Sequence, residues 1–184
     1  MEQTASAPSA RQRITATAHD LFYREGIRAT GIDRIIKEAG VTKVTFYRHF
    51  PSKNNLIGAY LEHRHGLWMT WFKDALARHG AGGQDPLAAV VKTLQEWFRK
   101  DGYRGCAFIN AVVELDGAIP EVTEIARRHK AEMVDVLAAL LKPGRSHGKE
   151  QLVALAIDGA IIRAQMDGTA APALKTLKRM FEAL

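Results

Sequence analysis

Apolar residues recur three and four positions apart along almost the whole chain, while sustained alternation of apolar and polar residues is almost absent. A spacing of three and four puts side chains on one face of an α-helix, whereas a strand needs a period of two. No Asn-Gly or Asp-Gly turn joins two β-branched runs, so hairpins are not signalled either. The chain therefore reads as all-α, with about nine helices. The first is expected to start after Ser9 as N-cap, to bury Ile14, Ala18, Leu21 and Phe22, and to end at a left-handed Gly26. Thr30 is read as the next N-cap, before a stripe of Ile32, Ile35, Ile36 and Ala39 that Gly40 closes. Thr42 caps a short third helix to about His49, with Phe46 and Phe50 facing inward. Pro51 stops that helix and Ser52 caps a long fourth one over roughly 53–78. Further helices fall near 86–100, 106–115, 120–142, 149–166 and 171–183. The breaks between them are Gly80 to Pro86, Asp101-Gly102, Gly117 to Pro120, Pro143-Gly144 and Asp167-Gly168.

Composition narrows the classes. Of 184 residues, 47% are hydrophobic, enough to build a core, and the net charge of +6 favours an anionic partner such as nucleic acid or a lipid surface. The single cysteine, Cys106, cannot form an internal disulfide and has no zinc-ligand pattern around it, which fits a reducing cytoplasm. No apolar run reaches the roughly 20 residues that span a bilayer, and Met1 to Pro8 carry no secretory signal and read as a loose tail over 1–8. A P-loop, a dinucleotide glycine pattern, a nucleophile elbow and a zinc-binding helix are all missing. His63 and His65 lie two apart, on different sides of a helix, and His129 and His147 are isolated. Neither enzymatic chemistry nor a metal or cofactor is expected.

The informative segment is Thr30 to Lys53, TGIDRIIKEAGVTKVTFYRHFPSK. It reads as two helices joined by a tight Ala-Gly-Val turn, a helix-turn-helix over about 31–50. The short second helix spends Phe46 and Phe50 on the core, which leaves Lys43, Val44, Thr45, Tyr47, Arg48 and His49 on its other face. Lysine, arginine, threonine and tyrosine donate hydrogen bonds to phosphate oxygens, and lysine or arginine also reaches guanine edges. Val44 suits a thymine methyl. Thr30 and Lys53 sit at helix N-termini, where free N–H groups favour a phosphate. A short polar helix between apolar ones is often only a solvated surface; here the turn glycine, the Phe-Tyr pair and the Phe-Pro-Ser-Lys exit occur together.

The run Ala39-Gly40-Val41-Thr42-Lys43-Val44-Thr45-Phe46-Tyr47-Arg48-His49-Phe50-Pro51-Ser52-Lys53 resembles the tetracycline-repressor (TetR) family of bacterial regulators. Leu21, Phe22, Gly26 and Thr30 fall where that family's first helix and next N-cap place them, and the resemblance covers about residues 9–60. It implies a homodimer that binds a palindromic DNA operator, often as a repressor, with the third helix in the major groove. By position, Thr30, Lys43, Thr45, Tyr47, His49 and Lys53 would contact DNA, mostly at phosphates, while Lys43, Val44 and Arg48 would read bases. Many members have glycine where this chain has the bulkier Val44, so the resemblance does not fix helix depth in the groove or the operator sequence. The implied organisation is a DNA-binding domain over 9–53 and a helical effector-binding and dimerisation domain over 54–184.

The resemblance also implies a small-molecule effector bound by the later helices. Trp68, Trp71, Phe72, Trp97, Phe98 and Phe108 gather on the central helices; aromatic groups line ligand pockets and equally fill cores. Asn110 and Glu114 share one face of an otherwise apolar helix, and their partner is either a ligand or a neighbouring backbone group. Cys106, close to Arg104 in sequence, is either a redox-sensing thiol or a small structural residue. The segment Leu152 to Met166 is apolar on nearly all sides, with small Gly159 and Ala160. With Ala156 and Arg163 on that segment, and the stripe Leu174, Leu177 and Phe181, it forms either an isologous dimer interface or packing within one subunit. The resemblance favours the dimer. The fourth helix, from Lys53 to Trp68 and Trp71, is the expected lever between effector and DNA, with two recognition helices about 34 Å apart. The alternative is a basic helical interaction protein for an acidic partner or membrane surface, because basic positions flank the tryptophans.

Overall fold

The computed structural model describes residues 7–82, 85–115, 117–141 and 147–184. Among these residues nine α-helices follow one another and no strand occurs: α1 (Ala10–Glu25), α2 (Ile32–Glu38), α3 (Lys43–His49), α4 (Lys53–Gly80), α5 (Pro86–Phe98), α6 (Ala107–Leu115), α7 (Pro120–Leu141), α8 (Glu150–Asp167) and α9 (Ala171–Glu182). The all-α reading and the helix order hold. Residues 1–6 of the expected tail and the Pro143-Gly144 break lie outside the described residues.

Local chemistry explains where most helices start. Ser9 and Gln12 form a reciprocal capping box at α1, with the Gln12 N–H donating to Ser9 Oγ at 3.3 Å and the Ser9 N–H to Gln12 Oε1 at 2.8 Å. Thr42 caps α3 through the Thr45 N–H at 3.1 Å, and Ser52 caps α4 through the Asn55 N–H at 3.2 Å. Pro86 occupies the first turn of α5, where a missing N–H costs nothing.

Two capping expectations are corrected. Gly26 does end α1, but at φ 97° and ψ 155°, a region reserved for glycine and not the left-handed helical one. Gly31, not Thr30, is the N-cap of α2 and makes no side-chain cap bond. Thr30 is fully buried and its hydroxyl donates to the Gly26 carbonyl at 2.7 Å, so it closes the α1–α2 turn from inside. α4 runs two residues past its expected end, to Gly80, where the glycine-rich break begins.

Helices α1, α2 and α3 pack around Ile14, Ala18, Leu21, Ile35, Phe46 and Phe50, all buried, while Ile32 and Ile36 are half-buried beside them. α4 carries Leu56, Ile57 and Tyr60 toward this N-terminal cluster and Trp68, Met69, Phe72 and Leu76 toward α5 and α7, so one contiguous core joins the two ends. α8 packs on α7 and α9, and α9 packs back on α5. Ala160, Leu174, Leu177 and Phe181 are therefore buried within the subunit. Their side chains pack within the single chain, and Ala160, Leu177 and Phe181 also line a groove between α8 and α9.

Candidate nucleic-acid interface

The geometry of α3 follows from how little of it is buried. Phe46 is its single buried side chain, with Phe50 directly after it, their ring centroids 6.2 Å apart. That one-sided anchoring turns the rest of the helix outward. Val44 is 70% exposed and Tyr47 41% exposed, more open than apolar or aromatic groups usually are unless a partner covers them. Lys43 and Arg48 are exposed as well, while Thr45 and His49 are half-buried at the edge of the same face. Lys43 Nζ lies 3.6 Å from Asp33 Oδ1, an exposed pair worth little in water. Lys53 is half-buried at the start of α4, its Nζ 5.9 Å from the Phe22 ring centroid. Burial lowers its pKa, and the nearby Glu114 carboxylate opposes that shift. The structure thus brings Lys43, Val44, Thr45, Tyr47, Arg48, His49 and Lys53 to one end of the molecule. Thr30 does not join them, because its side chain is buried in the α1–α2 turn.

Two cations escaped the sequence reading. The Arg11 guanidinium lies 4.5 Å from the Phe50 ring centroid and donates to the His49 carbonyl at 3.1 Å. Arg13 Nε donates to the Ala39 carbonyl at 3.2 Å. Each places positive charge at a helix C-terminus, where the unsatisfied carbonyls favour it, and so clamps α1 to α3 and α2. Only the fold reveals this, since the partners lie 38 and 26 residues away. Charge concentrates here too: residues 9–53 hold nine lysines and arginines against four acidic residues, net +5 of the chain's +6. Three of those acids pair inside the head, Glu25 with Arg24 and Arg34, Glu38 with Arg34, and Asp33 with Lys43.

The profile of the bacterial regulatory proteins, tetR family, matches residues 14–60. A TetR-family transcriptional regulator from Streptomyces coelicolor superposes with a TM-score of 0.76 at 30% identity, over 95% of both chains. The chain belongs to the TetR family. A TetR regulator from Chloroflexus aurantiacus gives a TM-score of 0.76 at 26% identity, over 91% of each chain. The reduced form of NemR from E. coli gives a TM-score of 0.79 at 20% identity, over 93% of this chain and 95% of that one, a likeness of fold. An HTH-type transcriptional regulator of Staphylococcus aureus is 40% identical over 63 residues, which is 34% of this chain and 34% of that relative. The chain thus matches about a third of the length of that curated relative. This TetR-family chain is accordingly a transcriptional regulator with a DNA-binding helix-turn-helix. Among the described residues, no helix is long and apolar enough to cross a membrane.

The central helices of this regulator hold an aromatic cluster. Trp68, Phe72, Trp97 and Phe108 are buried, with Trp68 stacked on Phe72 at 4.6 Å and edge-on to Trp97 at 5.4 Å. Phe98 is buried at its rim, 5.8 Å from Trp97. Trp71 is half-buried and donates to Glu96 at 3.0 Å, a carboxylate that Arg78, Trp71 and His79 hold down to about pKa 2, Arg78 foremost. The sequence reading missed three members. His129, isolated in sequence, stacks on Phe108 at 3.7 Å, and its Nδ1 lies 3.2 Å from His65 Nδ1. His65 continues to Glu132 at 3.0 Å. Trp68 Nε1 and the buried Thr93 hydroxyl have no hydrogen-bond partner among the described residues. By contrast, Asn110 donates to the Arg104 carbonyl at 2.7 Å, and Glu114 accepts from the Ile27 and Arg28 N–H groups at 3.0 and 2.5 Å. Of the two partners open to Asn110 and Glu114, the structure supplies backbone groups. Cys106 is buried, as a small structural residue would be.

On α8 and α9 a groove of about 640 Å³ runs between Leu152, Ala156, Gly159, Arg163, Met180 and their neighbours. Leu152 is 57%, Leu155 72% and Met180 52% exposed. Leu155 and Met180 extend this apolar face beyond the residues expected from the sequence, of which Leu152 and Gly159 are exposed while Ala160, Leu174, Leu177 and Phe181 are buried.

Proposed function

We propose that this regulator is a repressor that binds a palindromic operator as a homodimer and lets go when a small molecule enters its helical core. The observation that carries the DNA contact is the outward face of α3, where exposed Lys43, Val44, Tyr47 and Arg48 stand beside buried Phe46. In this reading Lys43, Val44 and Arg48 meet base edges. Thr45, Tyr47, His49 and Lys53 hold phosphates and set the register. Residues 9–53 serve as the DNA-binding unit and 54–184 as the effector-binding and dimerising unit.

Selection of duplexes from a random pool, followed by titration at two salt concentrations, tests this. Tyr47→Ala is expected to weaken the selected duplex about tenfold, the value of one hydrogen bond to a charged group. Lys53→Ala is expected to lower the salt slope by about 1. Specific binding that neither change affects would put the recognition surface elsewhere. Binding to anionic vesicles with no duplex enriched would favour the basic interaction protein instead.

The effector reading rests on the buried, unpartnered Trp68 N–H beside Phe72 and Trp97, with the buried, unpartnered Thr93 hydroxyl one turn before Trp97 on α5 and buried Phe108 on α6. A buried donor without an acceptor is costly, and a ligand that supplies one would be held by it. Trp71 flanks that site. α4 is then the lever, since its 28 residues span about 42 Å from Lys53 past Trp68. An effector acts by favouring one head placement over another, to the extent of its differential affinity.

The dimer reading rests on the exposed apolar face of α8 and α9. Leu152, Leu155, Ala156, Gly159, Arg163 and Met180 would meet their copies across a two-fold axis. A Cβ on Gly159 meets nothing within 4 Å in the subunit. Gly159→Glu is therefore expected to keep full helicity while converting the dimer to monomer, read by sedimentation and circular dichroism. A dimer that survives this change at micromolar protein would place the interface on another face.

A further inference from the structure

The turn between α1 and α2 is fastened to α6 by a carboxylate that also lies close enough to act on the charge of Lys53. Glu114, in the last turn of α6, reaches 86 and 87 residues back along the chain and accepts from two consecutive backbone N–H groups, Arg28 at 2.5 Å and Ile27 at 3.0 Å. The turn is shaped to receive it. Gly26 adopts φ 97°, and a Cβ there would sit 3.2 Å from Glu114 Oε1. A second tie lies one turn earlier on α1. The Tyr23 hydroxyl donates to the Gly105 carbonyl at 3.0 Å and accepts from the Arg104 N–H at 3.0 Å, while the Arg64 guanidinium covers its ring at 4.2 Å. Asn110 Nδ2 donates to the Arg104 carbonyl at 2.7 Å, so both ties converge on α6 and the loop before it.

We infer that Glu114 and Tyr23 are positioning residues for DNA binding: they lock the helix-turn-helix to α6, so that the angle of α3 is set by where α6 sits. The inference rests on the DNA-binding reading above. Its chemistry is specific. A carboxylate offers an acceptor to each of two parallel N–H groups, and charge strengthens both bonds. Glutamine offers one acceptor and turns an NH₂ toward the other N–H, so Glu114→Gln opens the latch without changing side-chain size. Tyr23→Phe removes the second tie and keeps the ring under Arg64. Neither side chain is part of the outward face of α3.

A head freed from α6 still meets phosphates, but it no longer holds the recognition helix at one angle. Specific binding suffers and non-specific binding does not. The experiment measures Kd for the duplex selected by the wild-type chain and for a scrambled duplex of equal length, for wild type, Glu114→Gln, Tyr23→Phe and the double variant. Thermal unfolding is followed in parallel. The expected result is a fall in the specific-to-non-specific ratio of about tenfold or more in the double variant and in Tyr23→Phe, with scrambled-duplex binding unchanged in Tyr23→Phe, which alters no charge near Lys53. Tyr23→Phe, which loses only a hydroxyl, supplies the reading if Glu114→Gln does not fold. An unchanged or increased ratio in folded variants overturns the inference while leaving the DNA-binding reading standing. A wild-type chain that selects no duplex overturns both.

Discussion

Phe46→Ala is expected to cost about 3–5 kcal/mol of stability and to abolish specific DNA binding. The ring is fully buried, it is the single buried side chain of a seven-residue helix, and it packs edge-on to Tyr47 at 5.2 Å. A helix that short does not persist in water by itself, so α3 exists because Phe46 and Phe50 hold it against α1 and α2. Truncating the ring leaves a cavity in the middle of that small cluster and removes the reason for the helix to dock. Val44→Ala, two residues away and 70% exposed, is the matched control and is expected to stay within about 0.5 kcal/mol. Urea unfolding of both variants separates the cases. A loss below about 1 kcal/mol for Phe46→Ala would mean that the head is held by something other than its aromatic anchor.

Acid is expected to destabilise the protein from about pH 6.5 downward through His129. The ring is buried against Phe108 and Trp68, and burial, with Lys130, His65 and Arg64 adding to it, pushes its pKa down from 6.5 to about 2. Between those values the unfolded chain binds a proton that the folded chain refuses. Stability is therefore intact above pH 6.5 and falls as pH drops through the window, by at most about 1.4 kcal/mol per unit. From pH 7 to pH 5 the loss approaches about 2 kcal/mol, a large part of the stability of a small domain. Glu96 does not share this window. Its pKa is lowered from 4.5 to about 2, so its contribution stays in place until pH falls below 4.5. His129→Phe keeps the stack on Phe108 and removes the titration. Urea midpoints at pH 5 and pH 7 should then lie closer together in the variant than in the wild type, the remaining difference falling to His19, whose pKa burial also lowers. An equal loss in both proteins would assign the acid sensitivity to other groups.

The local parts of this fold were legible in the chain. Ser9, Thr42 and Ser52 announce helix starts because a side-chain oxygen caps N–H groups three residues ahead, an interaction contained in four consecutive positions. The stripe of Ile14, Ala18, Leu21 and Phe22 and the anchor pair Phe46 and Phe50 are legible for the same reason: helical geometry alone decides which side chains share a face. The outward face of α3 follows by subtraction, which is why Lys43, Val44, Tyr47 and Arg48 emerge from the sequence and stand exposed in the structure.

What tertiary structure alone decided concerns groups whose partners lie far away in the chain. Thr30 has the composition of an N-cap and a phosphate ligand, but its hydroxyl turns inward to Gly26. Asn110 and Glu114 share a helix face as a ligand-binding pair would, yet one closes its own loop and the other reaches the α1–α2 turn. His129 looks solitary until α4 brings His65 to it. On the last two helices, periodicity identifies an apolar surface but not its depth, so Leu174, Leu177 and Phe181 face α8 and α5 while Leu155 and Met180 stay uncovered. Short-range rules act through the covalent backbone and are written in spacing. Which of two polar atoms meets a ligand, a backbone group or DNA depends on how whole helices pack, and packing is a property of the assembled core.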